Sequence, residues 1–110
     1  MNTTEERAFI AKTILEQLGG GHFKMMTGAK NFLAMESGLA FAIPGKGFAK
    51  DGINELHVIL DADDTYTIKA FRIRKSKGVP TVKLIGEHSG VYNDSLAGMF
   101  TDLTGLDTHL

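Results

Sequence analysis
The stretch Ile53-Asn54-Glu55-Leu56-His57-Val58-Ile59-Leu60, the turn Asp61-Ala62-Asp63-Asp64, and the run Thr65-Tyr66-Thr67-Ile68-Lys69-Ala70-Phe71-Arg72-Ile73-Arg74 decide the fold. In the first run Leu56, Val58 and Leu60 face one way and Ile53, Glu55, His57 and Ile59 the other, the period of two that a strand with one buried face imposes. The second run places Tyr66, Ile68 and Ala70 on one face but Phe71 and Ile73 on the opposite one. Its apolar phase slips by a residue near Ala70, and a β-bulge in this strand is the expected way to restore it. A parallel pair needs a crossover of about a dozen residues, so two strands joined by this acidic turn form an antiparallel hairpin.

Outward from the hairpin the same punctuation repeats. Lys75-Ser76-Lys77-Gly78-Val79-Pro80 reads as a loop, and Thr81 to Ile85, with Val82 and Leu84 on one face, as the last strand. Leu39 to Ile43 alternates Leu39, Phe41 and Ile43 against Ala40 and Ala42; His22 to Thr27 is the weakest of five candidate strands. Helical periodicity returns at both ends. Thr3 and Glu6 have the spacing of a capping box ahead of an apolar stripe of Ala11, Ile14, Leu15 and Leu18, and Gly19-Gly20-Gly21 is a stop signal. Near the C-terminus Asn93 or Asp94 is the expected cap, Leu96, Met99, Phe100 and Leu103 the stripe, and Gly105 the stop. The expectation is a single α+β domain over 1–110: an antiparallel meander of four to five strands with both terminal helices packed on it, in the order α-β(4-5)-α.

Composition narrows the chemistry. The chain has 110 residues, is 43% hydrophobic and 23% charged, and contains no cysteine, which excludes disulfides, thiolate zinc sites, iron–sulfur clusters and thiol nucleophiles. No large buried cofactor fits so small a core, and none is expected. The start, Met1 to Arg7, is acidic where a secretory signal is basic, and no apolar run reaches the ~18 residues of a membrane span, so the expectation is a cytoplasmic protein with no membrane partner.

The net charge of −1 conceals a segregation. Residues 24–83 carry ten basic side chains against six acidic ones, net +4, which leaves −5 for the two ends. The sharpest part is Lys69, Arg72, Arg74, Lys75, Lys77 and Lys83, a stretch from Tyr66 onward without an acid. On two joined strands these make a basic hairpin able to neutralise phosphates, with Tyr66, Phe71 or Tyr92 as stacking surfaces for unpaired bases. The chain's pI of 6.4 argues against general coating of nucleic acid and for a local patch, or for lysines and arginines that merely guard a sheet edge. Lys46, Phe48 and Lys50 in the glycine-flanked 45–52 segment present an aromatic between cations, a second candidate contact.

Other constellations are weaker. Asp61 to Asp64 lacks the central Gly and terminal Glu of a calcium loop and reads as a turn. His22, His57, His88 and His109 match no ligand spacing, so no metal is expected. Glu55 and His57, two apart on one strand face, have the geometry of a proton-transfer pair but lack a third partner. Glu87-His88-Ser89 reads as a polar loop, and neither Gly45-Lys46-Gly47 nor Gly19-Gly20-Gly21 fits a phosphate-binding motif.

Met26-Thr27-Gly28-Ala29-Lys30-Asn31-Phe32, preceded by Ile14 to Gly20 and followed by Gly38-Leu39-Ala40-Phe41 and Phe100 to Leu106, resembles small uncharacterised proteins of tailed phages and prophages. The resemblance covers most of the chain and implies a setting, an accessory protein inside a bacterial host cell, without implying an activity or site residues. Read locally, Gly28 is a turn and Phe32 a core anchor.

The leading expectation is therefore a non-enzymatic protein that offers the Lys69–Lys83 hairpin, with Lys46, Phe48 and Lys50, to nucleic acid or to an acidic protein surface. A protein-interaction module that antagonises a host defence or regulatory factor is the alternative, and a small enzyme built on Glu55 and His57 the third. An edge strand or an amphipathic face offers a route to a homodimer.

Overall fold
The computed structural model describes residues 4–44 and 49–106. Strand periodicity and short turns produce five strands in one antiparallel sheet of sequential order: β1 (Lys30–Met35), β2 (Gly38–Ala42), β3 (Glu55–Leu60), β4 (Tyr66–Ser76) and β5 (Val79–Val91). Helices α1 (Thr4–Leu18), α2 (Gly20–Thr27) and α3 (Leu96–Thr104) complete an α+β fold, with helices at both ends of the chain. Among the described residues no helix is long and apolar enough to cross a membrane.

One face of the sheet is the core. Leu39 and Phe41 of β2 pair with Val58 and Leu56 of β3, which pair in turn with Ile68 and Ala70 of β4, so one side of three adjacent strands is continuously apolar. α1 lies over β1 and β2, α3 over β4 and β5, and the two helices touch. Ile14 and Leu18 from α1 and Leu96 and Phe100 from α3 are fully buried, as the stripe positions require. Phe23 stands edge-on to Phe41 and Phe100, with centroids 5.3 and 5.0 Å apart, and Phe32 lies 5.5 Å from Phe41.

Several local expectations are corrected. His22 to Thr27 is helical: Phe23 and Thr27 are buried with exposed residues between them, the spacing of one helical turn, and the Thr27 hydroxyl donates to the Phe23 carbonyl (2.7 Å). Gly28, in the left-handed region, ends this helix, while Asn31, the second residue of β1, has positive φ within an irregular pairing to β2. No side chain caps α3; a 3₁₀ turn over Asn93–Ser95 leads into it. The last strand runs on to Val91, so Glu87, His88 and Ser89 are strand residues rather than a loop.

The register shift near Ala70 is real but sits on the other strand. Ala70 pairs with Gly86 and Phe71 with Leu84, so the extra residue is Ile85 of β5, and β4 keeps its straight alternation. The reason lies in what covers β4. Tyr66, Ile68 and Ala70 are buried on the helix side, and Gly86, opposite Ala70, is so close to α3 that an added Cβ would lie 2.8 Å from Leu103 Cδ2. The next residues on that side, Arg72, Arg74 and Ser76, are polar. The apolar side chains Phe71 and Ile73 move to the opposite, helix-free side of the sheet.

The Asp61–Asp64 segment is a turn. Asp63 Oδ1 accepts from the Thr65 hydroxyl (2.6 Å) and amide (3.1 Å), which hold its carboxyl below the usual carboxylate range, and Asp61 Oδ2 accepts from Thr67 Oγ1 (2.6 Å).

Candidate anion-binding face of the hairpin
β3 ends at the pair Glu55–Phe71, whereas β4 and β5 continue as a two-stranded ribbon through the pairs Arg72–Lys83, Ile73–Val82, Arg74–Thr81, Lys75–Pro80 and Ser76–Val79. Lys77 (φ 54°) and Gly78 (φ 80°) close it, both in the left-handed region that a tight two-residue hairpin turn of matching twist demands. Directly paired residues share a face, so this register divides the basic side chains. Arg72, Arg74 and Lys83 fall on one side together with Ser76 and Thr81, and these five line an open concavity of about 270 Å³. Lys69 and Lys75 fall on the other side, and Lys77 occupies the tip.

The described residues that line the concavity are cationic or hydroxylic, with no acid among them. Arg72 lies directly opposite Lys83, a like-charge pair that costs a few tenths of a kcal/mol or more in a sheet. Among the described residues none of Arg72, Arg74 and Lys83 forms an ion pair with a carboxylate. The ten arginine N–H donors and the lysine ammonium therefore remain available, with the Ser76 and Thr81 hydroxyls beside them. Such a set accepts oxyanions and offers nothing to a cation. Gly52, at φ 73°, closes one end: a Cβ there would sit 3.0 Å from Arg72 Cδ and 3.5 Å from Arg74 Nη2. The glycine lets the Lys50–Gly52 turn pass beside the guanidinium stems.

A residue without a signature in the sequence holds the ribbon in place. The Asn54 side chain donates from Nδ2 to the Ile73 carbonyl (2.9 Å) and accepts at Oδ1 from the Ile73 N–H (2.9 Å), while its own N–H bonds to Phe71 O (3.0 Å). Asn54 so acts as a further strand residue beyond the end of β3. We expect Asn54→Ala to cost about 1–2 kcal/mol and, more tellingly, to accelerate amide exchange from Ile73 to Lys83 while that of Leu56 to Ile68 is little changed; uniform acceleration would show a global effect instead.

The remaining candidates are dispersed. Lys50 turns away to α3, where its Nζ donates to the Asp102 carbonyl (3.2 Å), a cation at a helix C-terminus. Lys46 and Phe48 lie outside the described residues. Lys69 is 3.8 Å from Glu87. Among the described residues no aromatic joins the concavity: Tyr66 is buried, Phe71 lies on the opposite face with its ring 4.7 Å from that of His57, and Tyr92 follows the far end of β5. Glu55 and His57 are in contact (3.3 Å) and half-buried, but they lie on the helix-free face and take no part in the concavity. Among the described residues no three His, Asp or Glu side chains converge as a metal site. No protein-family model, no curated protein and no solved structure matches the chain.

Proposed function
We propose that this protein binds the phosphate backbone of duplex nucleic acid through the Arg72, Arg74 and Lys83 face of its β4–β5 ribbon. The observation that carries this reading is the convergence of these three cations, with Ser76 and Thr81, on one concavity with no acid among the described residues that line it. Two arginines two residues apart on one strand stand about 7 Å from each other, so they engage successive points of a polyanion rather than one small ion. Duplex is favoured over single strands because a two-stranded ribbon is narrow enough to follow a groove and the described residues of the cationic side include none of the stacking aromatics that unpaired bases use. Lys77 at the tip adds to the same field. The accessory role in a phage-infected bacterial cell that the resemblance implies agrees with a sequence-independent contact of this kind.

The test is fluorescence anisotropy of a short labelled duplex of mixed sequence as salt is raised. Neutralising three phosphates gives a log–log slope of about −3, so affinity falls roughly 40-fold between about 50 and 200 mM salt. Arg72→Glu with Arg74→Glu is expected to reduce binding at least about 100-fold, because the substitutions reverse charge rather than remove it. Salt-insensitive binding, an unaffected double variant, tighter binding to a single strand, or preference for an acidic polypeptide would each overturn the duplex reading.

A further inference from the structure
We infer that the helix-free side of the β4–β5 ribbon is a self-association surface, occupied by the same ribbon of a second copy of this chain. The inference rests on the inversion seen at Ala70 and stands independently of phosphate binding. Up to Ala70 the apolar residues of β4 face the helices; beyond it they face away, as Phe71 and Ile73, and pair with Leu84 and Val82 on the same side. Leu84 is 48% and Val82 59% exposed, side by side on a strand that has no neighbour beyond it. Four large apolar side chains thus form two adjoining rows, one level with Glu55 at the end of β3 and one beside Asn54 just past it.

The charges at the end of this patch identify the occupant. In the row before Phe71 and Leu84, Lys69 of β4 stands beside Glu87 of β5, 3.8 Å apart. A two-fold axis running along the ribbon, between two copies stacked face to face, lays β4 of each over β5 of the other. Every row then meets its own equivalent: Phe71 over Leu84 of the second copy, Ile73 over its Val82, and Lys69 over its Glu87. The two like-for-like ion pairs become a self-complementary square of alternating charge, and the apolar rows close against each other at the ~10 Å spacing of packed sheets. Two strands over about seven residues bury at most roughly 1,000 Å² counted over both copies, near the lower bound for a specific interface, so a weak and reversible association is expected. Both Arg72–Arg74–Lys83 faces remain outward in this arrangement.

Sedimentation velocity of the full chain over about 5–500 µM tests the inference, a range chosen to bracket micromolar dissociation. The mass is expected to rise from 11.9 kDa toward twice that value. Val82→Lys with Leu84→Lys, two half-exposed positions outside the core, is expected to remain monomeric at every concentration with an unchanged circular dichroism spectrum. Lys69→Glu is expected to weaken association at least about tenfold, and Lys69→Glu combined with Glu87→Lys to restore it, because the square is re-formed with its signs exchanged. A wild-type chain that stays at 11.9 kDa throughout would assign the face to another partner and overturn the inference. A dimer indifferent to Val82→Lys with Leu84→Lys, or one weakened by Lys69→Glu and not rescued by the double reversal, would overturn it as well.

Discussion

A Phe41→Ala variant is expected to lose about 4 kcal/mol of stability, a large share of the 5–10 kcal/mol that a domain of this size commands. Phe41 is fully buried in the middle of β2 and meets Phe23 of α2, Phe32 of β1 and Phe100 of α3. Removing the ring leaves a cavity where β1, β2, α2 and α3 meet. The surrounding rings cannot collapse into it without pulling α2 and α3 toward the sheet together, so the cost sits in the upper part of the range for aromatic truncation. Urea unfolding followed by far-ultraviolet circular dichroism measures it, and a loss below about 1.5 kcal/mol would mean that the cluster repacks freely.

The second large effect requires only one added methyl group. Gly38 begins β2 opposite Ile59, and a Cβ at this position would run into the Val58 carbonyl oxygen and lie 3.1 Å from Ile59 Cα. Both are backbone atoms of β3, which cannot swing aside as a side-chain terminus can. Gly38→Ala is expected to cost about 3 kcal/mol by forcing β2 and β3 apart. By contrast, Gly98→Ala has open space around the added Cβ and lies within α3, where Ala is the better helix former by about 1 kcal/mol. Thermal melts of the two variants should therefore move in opposite directions.

The parts of the fold legible in the sequence are those where a helix covers a strand. β3 alternates because its core face is buried and its other face is not, β2 and the first half of β4 set large apolar side chains toward the core against small or polar ones on the other face, and the two terminal helices carry stripes that match what they cover. β1 was invisible because it is an edge strand with an irregular pairing at Asn31, so its burial follows no period of two. α2 was misread as a strand because eight residues containing two glycines carry too little helical pattern. The basic residues of the site were legible as a group. Their division between two faces was not, since it depends on whether the extra residue belongs to β4 or to β5. The role of Asn54 and the turn of Lys50, a candidate contact in the sequence, toward α3 are not legible for a different reason: their partners, Ile73 and Asp102, are 19 and 52 residues away.

The ribbon beyond Asn54 also divides the molecule by evolutionary freedom. Arg72, Arg74, Ser76, Thr81 and Lys83 line their concavity without entering the buried core, and the turn at Lys77 and Gly78 is joined to the rest only through the two strands. Substitutions there change the charge and shape presented to a ligand while leaving the Phe23, Phe41 and Phe100 cluster and its helices untouched. Lineages of this chain can therefore diverge quickly in what they bind while their cores drift slowly, and a comparison of distant copies should find the arm rewritten long before the sheet beneath it.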